Sequence, residues 1–481
     1  MKVRLLLLLI LPLLLIACDK DHFATGAGDQ PELSTDTLAM GRLLGNNSSK
    51  TYLLKLYNRC DADLRLESIS LRHAGQSGFR MNVDGMNGTS FTNSELLRIA
   101  QDDSMFVFVE ATFDIEPDDP LQINHTDYID IVCNGRTQTI VLTATSLKVE
   151  QLRNVVISAD TTWTGSGLNK QILDSLIIMP GATLTLADSV ILYMHDKAGI
   201  RVAGTLLCLG SDSAGVTLRG DRTDNLFYNL SYDQLPSQWG TLQIDSTARG
   251  CRFEHTDIHG LTAGILIDST DVRFESCRIS SSDDNLITCH MSDVVMHNCL
   301  LYNAAGALLD IYGGRYSVVH CTLANFNFNS AISRQTLCIS NMDANSGRYT
   351  PLDSCTLVNT IVWGRSYDPD MSLSYYKVAV GTDPMGNTEW ADSVFNYHFD
   401  HCLLRADGTD DNDFIATLWN IDPEFVLTDL PTYSFDFHLQ ATSPAIGAGS
   451  AEGAQLCPTD LDGNARAAVP SIGCFEGTKA P

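Results

Sequence analysis

A repeat constrains this chain more than any other feature. Phe253-Glu-His-Thr-Asp-Ile258 is followed by Phe274-Glu-Ser-Cys-Arg-Ile279, Met296-His-Asn-Cys-Leu-Leu301 and Val318-Val-His-Cys-Thr-Leu323, at spacings of 21, 22 and 22 residues. A period of this size, built from short alternating runs with no helical pattern, marks a solenoid. Within each unit the apolar positions alternate, break parity at Glu254–Thr256 or its equivalents, and alternate again. Side chains in a strand have a period of two, so a parity break requires a sharp turn between two strands. A second alternating run follows: Ile265 and Ile267 align with Ile287 and Cys289, then with Leu309 and Ile311. Stacked coils lie about 4.8 Å apart and set like residues above like. The expected fold is therefore all-β, a parallel β-helix over residues 150–450. Cys277, Cys299 and Cys321 form an internal ladder on this register, with Cys355 and Cys402 as its expected continuation. Buried cysteine packs as a small hydrophobe. A ladder along an axis does not converge as a zinc site must.

The N-terminus reads Met-Lys-Val-Arg, then an apolar run from Leu5 to Ile16. The run is too short for a membrane span, which needs about 20 residues in a helix. It fits a secretory signal. Its end, Leu15-Ile16-Ala17-Cys18, resembles the lipobox of bacterial lipoproteins. That resemblance implies removal of residues 1–17 and lipid on Cys18, an anchor worth about 0.8 kcal/mol per buried CH₂. Residues 18–33 are polar and glycine-containing and read as a flexible tether. Asp19, Lys20 and Asp21 resemble the surface-export signal of Bacteroidota lipoproteins, with Lys20 interrupting the acidic run. The implied location is the outer membrane facing outward, with a periplasmic-facing anchor as the alternative.

Residues 34–147 read as short strands separated by turn clusters such as Asn58-Arg-Cys-Asp61 and Asn134-Gly135, the pattern of a β-sandwich. Gly78-Phe-Arg-Met-Asn-Val-Asp84 resembles immunoglobulin-like modules that precede β-helices in exported Bacteroidota proteins. Cys60 and Cys133 are a candidate disulfide there. The formal charge of −27 argues against nucleic acid, because phosphate attraction would have the wrong sign. Of fourteen cysteines one takes the lipid, and the odd remainder cannot pair completely.

The two ends of the solenoid carry a wider resemblance. Pro180-Gly-Ala-Thr-Leu-Thr185, Val202-Ala-Gly-Thr-Leu206 and Trp239-Gly240 at the start, then His438-Leu-Gln440, Ser443-Pro-Ala-Ile446 and Ser471-Ile-Gly-Cys-Phe-Glu476 near the end, resemble the right-handed parallel β-helix surface proteins of Bacteroidota. The resemblance implies a right-handed helix closed by a terminal coil and a cap over 451–481. It is specific for fold and weak for function, because the scaffold hosts many roles. Stretches near 365–400 and 405–425, the latter with the acidic Asp407–Asp413, read as loop insertions. Cys457 and Cys474 flank the cap as a second candidate disulfide. Asp460–Asn464 is the candidate Ca²⁺ turn, with a capping turn as its plainer reading, and no other cofactor is expected.

The best candidate for chemistry is a polar strip on one sheet. If Ile287 and Cys289 face inward, Thr288 and His290 face outward, with Asp310 and Tyr312 one coil on and Asp268 one coil back. Asp283 and Asp284 lie on the turn entering that strand. Asp283, Asp284, His290 and Asp310 are therefore the candidate catalytic residues, set against the plainer reading of a solvated face and ordinary turn chemistry. β-Helix polygalacturonases carry Gly-His-Gly and Arg-Ile-Lys, which are absent here, and the one His-Gly, His259-Gly260, precedes the Asp pair. The expected role is a non-catalytic surface protein that binds a glycan or a surface partner. A polysaccharide lyase or glycoside hydrolase acting on the helix face, and a structural or adhesin component, remain alternatives. Nine Asp-(Ser/Thr)-apolar-or-Thr tripeptides, from Asp36 to Asp392, resemble O-glycosylation sites of Bacteroidota exported proteins.

Overall fold

A computed structural model describes residues 22–479, apart from 93–94, 228–229, 329–330, 344–345, 366–368 and 383. Cys18 and Asp19–Asp21 lie outside the described residues. The chain divides into two compact units at Lys148.

The first unit is a β-sandwich. One sheet orders Glu32–Leu33, Tyr52–Tyr57, Ser104–Ala111, Phe79–Val83 and Met86–Gly88. The other is built on Thr37–Leu44, Arg136–Leu147, Gln122–Cys133 and Leu64–Leu71. Alternation, broken by one irregularity between Leu66 and Ile69, buries Leu54, Leu56, Val107 and Val109 from one sheet against Leu66, Ile69, Ile129 and Ile131 from the other. Residues 22–33 correct the expected tether. Phe23 bridges to Asp63 and lies under the Arg65 guanidinium at 4.1 Å, and Glu32–Leu33 pairs with Leu56–Tyr57. An apolar ring and free strand edge inside that polar stretch dock it. Cys60 and Cys133 are free thiols, so the expected pairing is not formed. The buried Cys133 thiol points to backbone carbonyls of Asp29 and Arg65, and burial pushes it up to about 11.

The second unit is a right-handed parallel β-helix with three faces. The first face stacks Ile265–Asp268 and the leading halves of Ile287–His297 and Leu309–Val319, then Leu337–Ser340 and Met371–Ser374. The second stacks Cys251–Glu254, Asp271–Glu275, the trailing halves of those two long strands, then Leu352–Val358 and Phe395–Asp400. The third stacks Thr256–Leu261, Arg278–Ser282, Leu300–Ala304, Thr322–Asn325 and Ile361–Gly364. The aligned isoleucines and leucines of the first face point inward as the alternation requires, and Phe253 stacks on Phe274 at 4.8 Å beside them.

The parity break has a single cause. His255, Ser276, Asn298, His320, Asn359 and His401 each adopt a left-handed conformation, φ 43° to 58°. One such residue turns the chain from the second face to the third. Asn and His tolerate this region better than most side chains, and β-branched residues scarcely enter it. The next position is the internal ladder: Thr256, Cys277, Cys299, Cys321, Thr360 and Cys402. These side chains also donate. Cys277 Sγ reaches the Phe253 carbonyl at 3.2 Å, Cys321 Sγ that of Met296 at 3.4 Å and Thr360 Oγ1 that of Val358 at 3.1 Å. The ladder thus gives corner carbonyls donors in a dry interior. Cys355 is not part of it; it sits on the second face between Tyr316 and Tyr397.

The expected loop insertions and cap are also redrawn. Residues 365–400 contain two coil strands, Met371–Ser374 and Phe395–Asp400, around a hairpin of Val378–Thr382 and Thr388–Ala391. Within 405–425, short strands Phe414–Ile415 and Leu418–Trp419 continue the stack. The acidic run shapes their turns: Asp411 accepts the Phe414 amide at 2.9 Å and Asp410 the Trp419 indole at 3.1 Å. The stack therefore ends near Trp419. The remaining chain folds back along the third face, where Leu300, Ala324, Ile361 and Leu403 pack outward against Phe425, Phe437, Ala445, Ile472 and Cys474. Cys457 and Cys474 are separate free thiols, not a disulfide. Cys474 sits at Thr322 and Cys457 against the Val319 backbone, and burial pushes both up to about 12. Asp460 organises its turn by accepting from the amides of Asp462, Asn464 and Glu476 and from the Asn464 side chain.

Candidate functional site

Two outward ladders run side by side on the first face. One reads Asp268, His290, Tyr312, Ser340; the other reads Leu266, Thr288, Asp310, Cys338. His290 and Tyr312 lie one coil apart and stack ring on ring, 4.9 Å between centroids and 8° from parallel.

Asp310 is the centre of the site. Its side chain is 1% exposed, covered by Arg334, whose own side chain is 37% exposed. Asp310 Oδ2 accepts from Asn285 Nδ2 at 2.9 Å and from Arg334 Nη1. The same guanidinium nitrogen donates to the Tyr312 hydroxyl at 3.1 Å. Asp310 Oδ1 is buried with no hydrogen-bond partner among the described residues. Burial raises this carboxyl above the ordinary carboxylate range, and Arg334, Tyr312 and Asn285 hold the rise back. Burial opposes the charge on Arg334, but Tyr312 and Asp310 leave its guanidinium above the ordinary value. Asn285 is fixed in turn, its Oδ1 accepting the Ala307 amide at 2.8 Å.

Of the four residues singled out from sequence, two belong to this cluster. His290 and Asp310 meet through Tyr312. Asp283 and Asp284 do not join them. Asp283 accepts from Ser237 Oγ at 3.0 Å, and Asp284 Oδ1 accepts the following amide, Asn285 N, at 2.8 Å. Both are exposed turn residues: Asp284 finds its donor in the local backbone, as a carboxylate just before a strand does, and Asp283 in a distant hydroxyl. Asp268 is likewise exposed and accepts from Ser269. Arg334 and Asn285 went unrecognised in the sequence. Asn285 had a signal in its turn position; Arg334 had none, since it precedes Leu337 in a stretch outside the repeat phase.

The third face carries a different polar cluster. His259 Nδ1 lies 2.9 Å from Asp257 and its Nε2 3.5 Å from Asp233. Burial works against its charge, but the two carboxylates prevail and lift the imidazole to about 9. The one His-Gly pair in the chain thus sets a nearly buried imidazole between two half-exposed carboxylates.

No protein-family model matches the chain, and no curated protein matches it. Partial likenesses to solved structures exist. A Porphyromonas gingivalis protein of unknown function is 19% identical over 27% of this chain, with TM-score 0.18, and the match spans half of that protein's length. A family 123 glycoside hydrolase from Clostridium perfringens, studied for glycolipid glycan hydrolysis, is 9% identical over 29% of this chain and 30% of its own, with TM-score 0.18. A pectin methylesterase variant in complex with a hexasaccharide is 16% identical over 56% of this chain and 84% of its own, with TM-score 0.23.

Proposed function

We propose that this protein is a lipid-anchored β-helix of the bacterial outer surface, akin to the Bacteroidota proteins it resembles, and that its first face binds a glycan without turning it over. The carrying observation is the position of Asp310. A carboxyl that is 1% exposed beneath a guanidinium is placed to orient that guanidinium. Glycoside hydrolysis needs carboxyl groups on both sides of the scissile bond, whereas Asp310 meets an amide, a guanidinium and, through it, a phenol. What faces outward is a fixed Arg334 beside the stacked His290 and Tyr312. Hydrogen-bond donors next to ring edges suit sugar hydroxyls. The charge of −27 favours neutral glycans over polyanionic ones. On this reading the sandwich is a spacer, and lipid on Cys18 is the anchor.

A glycan array probed with the detergent-solubilised full chain tests the reading. The expected result is a neutral-glycan binder whose signal falls about tenfold in Arg334→Gln, the loss of one charge-assisted hydrogen bond. Turnover of any glycan on the panel, abolished by Asp310→Ala, would establish the lyase or hydrolase alternative instead. Palmitate labelling that survives Cys18→Ala would remove the anchor.

A further inference from the structure

A cavity of about 250 Å³ lies between the third face and the C-terminal hairpin. Its floor is Arg278, Tyr302 and Asn303, from two successive coils. Its far wall is Phe435, Asp436 and Phe437, from the hairpin strand Ser434–Leu439. Tyr302 and Phe437 meet at 5.4 Å, and Phe435 lies parallel to Phe437 at 5.8 Å.

The charges around this cavity are already balanced. His438 holds Asp436 at 2.5 Å with Nδ1 and Asp462 at 2.7 Å with Nε2. Arg278 holds the other oxygen of Asp462 at 2.9 Å. Two cations thus face two carboxylates, so a charged ligand would arrive without a counter-charge.

Unused polar atoms remain. Asn303 is 1% exposed and uses only its oxygen, which caps the Phe326 amide at 3.0 Å. Its side-chain nitrogen donates to no protein atom among the described residues, although the residue lines the cavity. Asp436 accepts both of its His438 bonds on Oδ1, leaving Oδ2 as an acceptor. A ligand oxygen in the cavity would accept from that nitrogen.

We infer that this cavity is a second ligand site, independent of the first face, that takes one neutral pyranose ring of a glycan. The apolar C–H face of such a ring lies on the aromatic wall, and its hydroxyls meet the Asn303 donor and the Asp436 acceptor. The volume is below the roughly 300–1,000 Å³ of sites for larger ligands, which limits the occupant to a single ring.

Ligand-observed NMR on the detergent-solubilised full chain tests the inference. The probes are the methyl glycosides of glucose, galactose, mannose and N-acetylglucosamine, with glucuronate as the charged counterpart. At least one neutral glycoside binds with Kd near 1 mM, about −4 kcal/mol, and glucuronate binds more weakly. Asn303→Asp keeps the oxygen cap and the tolerance of φ 57° while removing the donor; it weakens binding about tenfold. Phe435→Leu, at a half-buried position, does the same by removing a ring. The titrations are repeated in Arg334→Gln, which weakens the first face, so the binding retained there belongs to this cavity. The inference fails if no neutral glycoside binds, if binding withstands both Asn303→Asp and Phe435→Leu, or if Arg334→Gln abolishes it.

Discussion

On the first face the outward ladder reads Asp268, His290, Tyr312, Ser340; on the third it reads Arg278, Leu300, Thr322, Ile361, Leu403. Inward positions are alike on both, apolar and packed into the core. Only the outward set differs, and it decides what each face becomes. A polar outward ladder leaves the first face uncovered for Asp310, Tyr312 and Arg334 to organise. Where the third face's outward ladder turns apolar, at Leu300, Ile361 and Leu403, the chain must supply a cover, and the segment from Phe425 onward supplies it. Both faces place ionisable groups under that control. A buried carboxyl is raised on the first, and a buried imidazole is raised on the third.

The largest test of this contrast is Phe437→Ala. It removes a ring that is 4% exposed from the cover over Leu300 and Ala324 and costs about 3–5 kcal/mol, read from the urea midpoint. A loss under about 1 kcal/mol would mean that the cover contributes little and that the faces do not differ as described.

The second test is pH. A group raised in the folded state stabilises the fold below its ordinary value, and that stabilisation is lost as pH rises through the folded value. For His259 the window runs from 6.5 to about 9, on the order of 3 kcal/mol at 1.36 per unit. Denaturation midpoints therefore fall across that window, and His259→Gln flattens the fall. For Asp310 the sign is the same but the window opens just above 3.8. Asp310→Asn flattens that lower window and leaves the alkaline one intact. If each substitution changed both windows, the two networks would be coupled. The smallest effect is the stability change in Arg334→Gln, about 1 kcal/mol. It grows with rising pH, because a protonated Asp310 tolerates the loss of its cation and an ionised one does not.

Much of this is legible in the sequence. The period and the alternation place Ile287 and Cys289 inward, so His290, Asp310 and Tyr312 had to share a surface. The corner was visible as a parity break, though its mechanism was not. Cys355 shows the limit of pattern matching. Cys355-Thr-Leu357 copies the letters of Cys321-Thr-Leu323, but a corner needs a residue in the left-handed region before the ladder, and Ser354 is in a strand. Asn359 before Thr360 carried the right signal. Arg334 was invisible because an insertion has no phase from which its height on the rod can be counted. The cover was missed for a related reason: Phe437 and Leu300 are far apart in sequence, and nothing periodic links them. The tether was misread because its polar composition outweighed Phe23 and Leu33.

The left-handed corner also acts as a reset. From Thr256 to Leu404 every coil passes from the second face to the third through one residue, while extra chain accumulates at the other two edges, as in the hairpins Met342–Asp343 with Arg348–Tyr349 and Val378–Thr382 with Thr388–Ala391. Both hairpins lie between the first and second faces; between the third and first, the chain from Asn325 to Leu337 is longer than that from Ala304 to Leu309. Whatever length is added there, the next coil re-enters register at the same place. The C-terminal cover is pinned to this edge: Asn298 accepts from Arg466 at 2.8 Å, and Asn359 donates to the Ser450 carbonyl at 2.9 Å. Such a rod is indexed along one edge and editable along two, so new loops can be grafted beside the first face without disturbing the order of what lies beneath.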